Sequence, residues 1–240
     1  MCKLTVILPC AGKGERLGLP YSKEIYSFEK DKSLIDYTFD LFSAYNRSDL
    51  HFAITITEDK TDIIQHLSKY KHRFNISFTY FNPEEKDVPG SIKSTKHLLG
   101  EKNLVLLPDT ILKINPSIDI VTTICNTLDN SEFAFLYKKE DSPSILTTRG
   151  ALYVKGNEVV DYDDKPCDIG DRFNAYWGGL AFTKRVFDDA LNTIQHFYTS
   201  TKPSFKETVL YKARAIEIDD YIDLGTWDSI KTQIYNTYVR

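Results

Sequence analysis

Apolar residues along the chain fall into short runs whose period alternates between that of a strand and that of a helix. Residues 3–9 form a near-continuous apolar run of strand length, followed by a loop holding Gly12, Gly14 and Gly18. Residues 34–45 place Leu34, Ile35, Phe39, Leu41, Phe42 and Tyr45 at roughly helical spacing, and residues 51–57 read as a second buried strand. The polar starter Asp59-Lys60-Thr61-Asp62 precedes a helical stripe of Ile63, Ile64, Leu67 and Tyr70. The alternation continues through strands near 75–81, 103–108, 133–138, 151–154, 176–183 and 214–219. Helices are expected near 91–99, 117–128, 184–196 and 226–236. This order predicts an α/β architecture: a Rossmann-like, mixed and mainly parallel sheet with helices on both faces. Residues 145–160 read instead as an antiparallel ribbon turning at Gly156-Asn157, a small β insertion. No low-complexity linker or internal repeat divides the 240 residues, so a single domain over 1–240 is expected.

Composition narrows the function classes. A hydrophobic content of 42% supports a substantial core. A net charge of -4 offers no broad field for nucleic acid or an anionic membrane, so an anionic ligand would need basic residues gathered locally. No apolar run reaches the roughly 18 residues of a membrane span. The apolar N-terminus lacks a basic leader and runs into a glycine loop rather than a cleavage site, which argues against a targeting segment. Cys2, Cys10, Cys125 and Cys167 are scattered, with neither metal-motif nor disulfide-framework spacing, and a reduced, cytoplasmic setting is expected. Oligomeric state stays open, a homo-oligomer included.

In open α/β sheets ligands bind beyond the carboxyl ends of strands, where the loops beginning near residues 9, 82 and 109 lie. The first runs Leu8-Pro9-Cys10-Ala11-Gly12-Lys13-Gly14-Glu15-Arg16-Leu17-Gly18, then reaches Pro20 and Lys23. Glycines let backbone amides approach phosphate oxygens, Arg16 adds a forked cationic grip, and Lys23 adds a point charge. The missing Gly-Lys-Ser/Thr argues against a P-loop. A dinucleotide fingerprint would need glycine at Leu17. A plain strand-to-loop connection accounts for the glycines but not for Arg16 and Lys23. Asp109 follows the apolar strand 103–108, and a carboxylate there needs water, a cap or a cation. Taken alone, a turn or helix cap and a metal ligand both remain open.

The Gly-x-Gly-x-Arg-Leu run with the following proline and lysine resembles the sugar-1-phosphate nucleotidyltransferase (sugar-nucleotide pyrophosphorylase) family, in particular its short single-domain members. The resemblance implies a GT-A-like nucleotidyltransferase fold in which the loop wraps a nucleoside triphosphate. Ala11, Gly12 and Gly14 would contact the nucleotide, while Arg16 and Lys23 would hold its phosphates. Glu15 departs from the usual Ser or Thr, and the Arg-to-Lys segment is shorter than in many members. The segment Asp223-Leu224-Gly225-Thr226 is similar to the family's Asp-x-Gly-Thr, and Asp109 stands at its post-strand aspartate. Together those aspartates would hold Mg²⁺, a cation that one or two carboxylates plus phosphate oxygens and water suit. Thr226 is also expected to cap the helix starting at Trp227.

The same resemblance extends to the acceptor. Asp164-Lys165-Pro166 is similar to an acidic-Lys-Pro segment whose lysine contacts the sugar phosphate; Asp164 replaces the commoner glutamate and would bind hydroxyl groups. Gly179 lies in an aromatic-glycine strand, and Glu207 in a segment that approaches the acceptor. Pro89-Gly90-Ser91 is expected to start a helix, with Gly90 and Ser91 against the base and Ser91 as its N-cap. The implied reaction is Mg²⁺-assisted in-line attack of a sugar 1-phosphate on a nucleoside triphosphate, releasing pyrophosphate. A phosphate dianion is already nucleophilic, so no activating His or Ser is required, and none of the five histidines lies in these motifs.

Alternatives remain open. A cytidylyltransferase for choline phosphate or another non-sugar phosphomonoester would use Tyr176 and Trp177 as an aromatic site, though both residues equally suit a core. A GT-A glycosyltransferase is disfavoured because Asp109-Thr110-Ile111 lacks an Asp-x-Asp motif. A catalytically silent nucleotide-binding regulator is opposed by the presence of both aspartates and both motif lysines. The motifs run in family order from 5–24 to 221–230 and leave no room for a C-terminal β-helix, so a single activity is expected.

Overall fold

The computed structural model describes residues 3–85, 87–167, 172–197 and 204–239. Its strands are β1 (Leu4–Pro9), β2 (Ser27–Glu29), β3 (Lys32–Ser33), β4 (Leu50–Ile56), β5 (Asn75–Tyr80), β6 (Lys102–Val105), β7 (Thr110–Lys113), β8 (Phe133–Lys139), β9 (Gly150–Lys155), β10 (Glu158–Asp164), β11 (Ala175–Thr183), β12 (Arg214–Glu217) and β13 (Asp220–Asp223). Its α-helices are α1 (Leu34–Leu41), α2 (Thr61–Leu67), α3 (Asp87–Lys93), α4 (Ile120–Asp129), α5 (Pro143–Leu146), α6 (Phe187–Phe197) and α7 (Trp227–Tyr238). Among the described residues, no helix is long and apolar enough to cross a membrane.

Nine strands form one mixed sheet in the order β5-β4-β1-β6-β11-β8-β12-β10-β9. The expected parallel arrangement occupies the β5-β4-β1-β6 half. Beyond β6 the direction reverses at β11, and β8 and β12 restore one parallel pair. Consecutive strands β1, β4 and β5 extend to one side of β1 while β6 pairs on its other side. Between β1 and β6 the strand order therefore reverses, opening a crevice beyond their carboxyl ends. The expected β insertion is the β9–β10 hairpin, with Gly156 at φ 63° in its turn.

Alternation of side chains along β1 gives each face of the sheet its own core. Leu4, Val6 and Leu8 pack with Phe39 of α1, Ile63 of α2 and Ile124 of α4. Ile7 packs on the opposite face with Ile92 of α3 and Phe187 and Leu191 of α6. A third cluster joins Leu17 of the glycine loop to Leu34, Ile111, Leu224 and Ile230. This cluster sits beneath a two-stranded ribbon of β7 and β13, which the hydrophobic pattern did not reveal. Burying Leu17 contributes about 2 kcal/mol and ties the far end of the glycine loop to the start of α7.

Candidate active site

The glycine loop leaves β1 at the crevice. The backbone amides of residues 11–16 donate to no protein acceptor among the described residues, while Leu17 and Gly18 close a turn onto the Gly14 carbonyl at 3.0 and 3.2 Å. Gly14 adopts φ 70°, a region that a side chain disfavours, and it lies against the aliphatic stem of Lys23. A free row of N–H groups beside exposed Arg16 is suited to oxyanions. Trp227, at the start of α7, holds the end of the loop by donating its indole N–H to the Leu17 carbonyl at 3.0 Å.

Asp109 emerges beyond β6 and is buried, and Lys23 Nζ donates to its Oδ2 at 2.5 Å. Burial pulls the Lys23 ammonium down, but the carboxylates of Asp109 and Glu24 outweigh it and hold the group above the usual lysine value. Lys23 is thus a permanent cation at neutral pH. The ribbon brings in the second aspartate: Asp223 pairs with Thr110, and the Leu224 amide donates to the Asp109 carbonyl at 2.9 Å. Asp223 Oδ1 accepts from the Gly225 amide at 2.8 Å, and its Oδ2 accepts from Arg149 Nη1 at 2.6 Å.

Gly225 is the hub of this arrangement. A methyl group placed on it would stand 3.1 Å from Arg16 Nη2, from Asp109 Oδ2 and from Asp223 Oδ1. Three groups from residues far apart in sequence therefore converge on one small space. Two carboxylate oxygens facing a cradle that a Cβ would fill suit a hard divalent cation whose remaining ligands are phosphate oxygens and water. Among the described residues no cluster of three or more metal-ligating side chains exists, so a cation here would depend on its substrates for ligands.

Two residues of the polar starter of α2, read in sequence only as a helix start, hold the loop from behind. Lys60, in the polar starter immediately before α2, is buried. Its Nζ donates to the Cys10 carbonyl at 2.8 Å and to both Glu24 oxygens at 3.1 and 2.9 Å. Burial pushes the Glu24 carboxyl up, against the pull of Lys60 and Lys23. Asp62 accepts from the Ser22 amide at 2.9 Å and from its hydroxyl at 2.5 Å, fixing the turn that carries Lys23. Burial also drives the Cys10 thiol well up, which leaves it without nucleophilic character.

The acceptor-side residues are placed less uniformly. Asp164 ends β10 opposite Gly150, and Lys165 follows at φ 49°, its amide donating to the Arg149 carbonyl at 2.9 Å. The Lys165 side chain is exposed and makes no polar contact among the described residues. Arg149 thus links the Lys165 segment to Asp223, a role that charge and spacing alone did not reveal. Gly179 faces the core, where a side chain would meet Leu106. Glu207 is exposed on a short 3-10 turn.

Ser91 differs from expectation. The helix begins at Asp87, so Ser91 lies inside α3 and is not its N-cap. Pro89 falls in the first turn, where its missing N–H costs nothing, so the helix starts before it rather than after. Ser91 is buried with its hydroxyl unpartnered, and its carbonyl accepts from Thr55 Oγ1 at 2.7 Å. The Thr55 carbonyl in turn accepts the Cys10 amide at 2.9 Å, so Ser91 connects to the loop through one residue. Thr226 caps α7 as expected, accepting from the Ser229 amide at 3.2 Å.

Tyr176 and Trp177 do not form one aromatic box, because neighbours in a strand point to opposite faces. Tyr176 packs edge-on against Tyr221 in one core, and Trp177 packs against the other, lying over Gly150. A cavity of about 910 Å³ between the polar face of α7 and residues 140–149 reaches Arg149, Tyr176, Tyr221 and Asp223. Arg16, Lys23, Asp109 and Lys165 lie outside it, so it borders the cradle rather than containing it.

No protein-family model and no curated protein matches the sequence. Solved structures match in shape over nearly the whole chain. A UDP-glucose pyrophosphorylase complexed with UDP-glucose superposes with a TM-score of 0.73 at 16% identity, covering 100% of this chain and 99% of the other. A UTP-bound UGPase from Acinetobacter baumannii gives 0.71 at 15% identity, with 99% and 93% covered. A putative glucose-1-phosphate thymidylyltransferase from Bacillus anthracis gives 0.70 at 16% identity, with 97% and 94% covered. The chain has the fold of the sugar-1-phosphate nucleotidyltransferases over nearly its whole length.

Proposed function

We propose that this protein transfers a nucleoside monophosphate from a nucleoside triphosphate to a sugar 1-phosphate or similar small phosphomonoester, releasing pyrophosphate. The observation that carries the reading is the convergence of Arg16, Asp109 and Asp223 on Gly225, with Lys23 on Asp109, at the mouth of an open-amide glycine loop. Cations and N–H donors are concentrated where the chain otherwise carries net negative charge. They bring two anions together and stabilise the charge that passes to the leaving pyrophosphate.

In this reading the amides of residues 11–16 and the Arg16 guanidinium bind the triphosphate. Lys23, pinned by Asp109, faces its phosphates as a fixed positive charge. Asp109 and Asp223 would hold Mg²⁺, which supplies charge neutralisation on the phosphate oxygens when bound. Lys165 approaches the acceptor phosphate, with Asp164 beside it for hydroxyl groups. No general base is needed, since the attacking phosphate oxygen is already anionic. The fold shared with enzymes bound to UTP and UDP-glucose supports a nucleotide donor and a sugar-phosphate acceptor.

The test is a pyrophosphate-release matrix of five nucleoside triphosphates against a panel of phosphorylated sugars and alcohols, with Mg²⁺ and with chelator. Release is expected for one base and one acceptor class, dependent on the cation and lost in both Asp109→Asn and Asp223→Asn. Nucleotide binding without pyrophosphate release from any pair would overturn the reading in favour of a regulator.

A further inference from the structure

Arg149 sits between the two halves of the proposed reaction. Its Nη1 donates to Asp223 Oδ2 at 2.6 Å, and its guanidinium stands 5.9 and 5.7 Å from the ring centres of Tyr176 and Tyr221. The Arg149 and Asp223 side chains are 28% and 33% exposed, so the pair contributes little to the fold. An arginine offers five N–H donors in a rigid fork matched to phosphate, and only one is engaged here among the described residues. Arg149 also lines the 910 Å³ cavity. The Arg149 carbonyl accepts the Lys165 amide, so the two cations belong to one stretch of backbone contact.

Charge balance gives the arrangement its direction. Asp109 and Asp223 are surrounded by three cations, Arg16, Lys23 and Arg149, before any divalent ion is added. A further double positive charge at the cradle is opposed unless anions accompany it. We propose that Arg149 binds the acceptor's phosphate, held ready by Asp223 and the two tyrosines, and that its charge makes divalent-cation binding at Asp109 and Asp223 depend on that phosphate. This rests on the proposed nucleotidyl transfer for the identity of the acceptor. Coupling between the two sites is reciprocal, so phosphate and cation each tighten the other.

Two variants and two independent readouts test it. Arg149→Gln removes the charge but retains a donor; Arg149→Lys retains the charge but loses the fork. In steady-state assays with the productive acceptor, Arg149→Gln should raise the acceptor KM by about tenfold to a hundredfold, with the nucleotide KM within about twofold. Arg149→Lys should recover part of that loss.

The second readout needs no turnover: Mn²⁺ binding to the nucleotide-free protein, followed by electron paramagnetic resonance, with and without inorganic phosphate. Phosphate should tighten Mn²⁺ binding in the parent protein. Arg149→Gln should bind Mn²⁺ severalfold more tightly without phosphate and lose the phosphate effect. Unchanged Mn²⁺ affinity in Arg149→Gln, with the phosphate effect intact, would overturn the inference even where the enzyme is active. Absence of pyrophosphate release in the parent protein would instead sink the nucleotidyltransferase reading and leave the Mn²⁺ comparison to decide the role of Arg149.

Discussion

Replacing Lys60 with methionine keeps the length of the side chain and removes the charge that balances Glu24. Glu24 has no solvent exposure, so its carboxylate in Lys60→Met must either stay charged with only the longer-range pull of Lys23 or take up a proton. Burial already raises this carboxyl, and losing Lys60 raises it further. The folded variant then binds a proton that the unfolded chain, with a glutamate value near 4.3, does not, so stability falls as pH rises. The penalty is therefore small near pH 5 and larger at pH 7, where the unfolded chain's glutamate is fully ionised. At pH 7 it should approach the roughly 3–5 kcal/mol expected for breaking a buried pair. Loss of the bond to the Cys10 carbonyl adds about 1 kcal/mol at either pH. For a chain of this length the pH 7 loss lowers Tm by about 10–20 °C.

Urea unfolding of both proteins at pH 5 and pH 7 measures the difference. A gap between parent and variant that is the same at the two pH values would refute the buried-charge argument. The double variant Lys60→Met/Glu24→Met removes both charges and should recover most of the stability. It should still bind nucleotide about tenfold more weakly, because the turn carrying Lys23 is no longer tied to Cys10.

Further substitutions probe the rest of the site and fold. Gly225→Ala puts a methyl group 3.1 Å from Arg16, Asp109 and Asp223, so Mn²⁺ binding and pyrophosphate release should both be lost, with Tm within a few degrees of the parent. Lys23→Ala should lower kcat/KM by about a hundredfold to a thousandfold, as removal of a preorganised charge does; wild-type kinetics would show that Lys23 serves only to pair Asp109. Gly150→Ala drives a methyl group into the Trp177 indole and should destabilise by about 1–3 kcal/mol in urea unfolding, with Trp177→Ala relieving it. Burial alone would raise the Asp36 carboxyl, but bonds from His66, the Ser33 amide and Lys69 outweigh it and hold it below the ordinary range. Its contribution is therefore present above the unfolded value near 3.9 and lost as pH falls through the folded value. Asp36→Asn should flatten the acid limb of the stability profile; an unchanged limb would assign that limb to other groups.

Several features were legible in sequence because they depend on local order. The apolar run of residues 3–9 became β1, Gly156-Asn157 became the β9–β10 turn, and Thr226 became the cap of α7. Period-two and period-3.6 patterns report which side of an element is buried, and cap chemistry acts within one turn, so both can be read without knowing the fold. Where a local signal was ambiguous the reading slipped: Pro89-Gly90-Ser91 was equally compatible with starting a helix and with lying in its first turns. The β7–β13 ribbon escaped because its strands are short and more than a hundred residues apart.

The chain's own order of residues determined the glycine loop, its arginine and lysine, the aspartate that follows the strand near 103–108, and the Asp-x-Gly-Thr segment at Asp223. Tertiary structure alone decided which of these meet. Asp109 and Asp223 become neighbours through the ribbon pairing Thr110 with Asp223, and Arg16 joins them because Leu17 is buried beside Leu224. Nothing in sequence tied Lys60, Glu24 or Arg149 to the site, since the partner of a charged residue is not written beside it. Periodicity records burial one element at a time, whereas a site is made by contacts between elements, whose partners only the folded chain supplies.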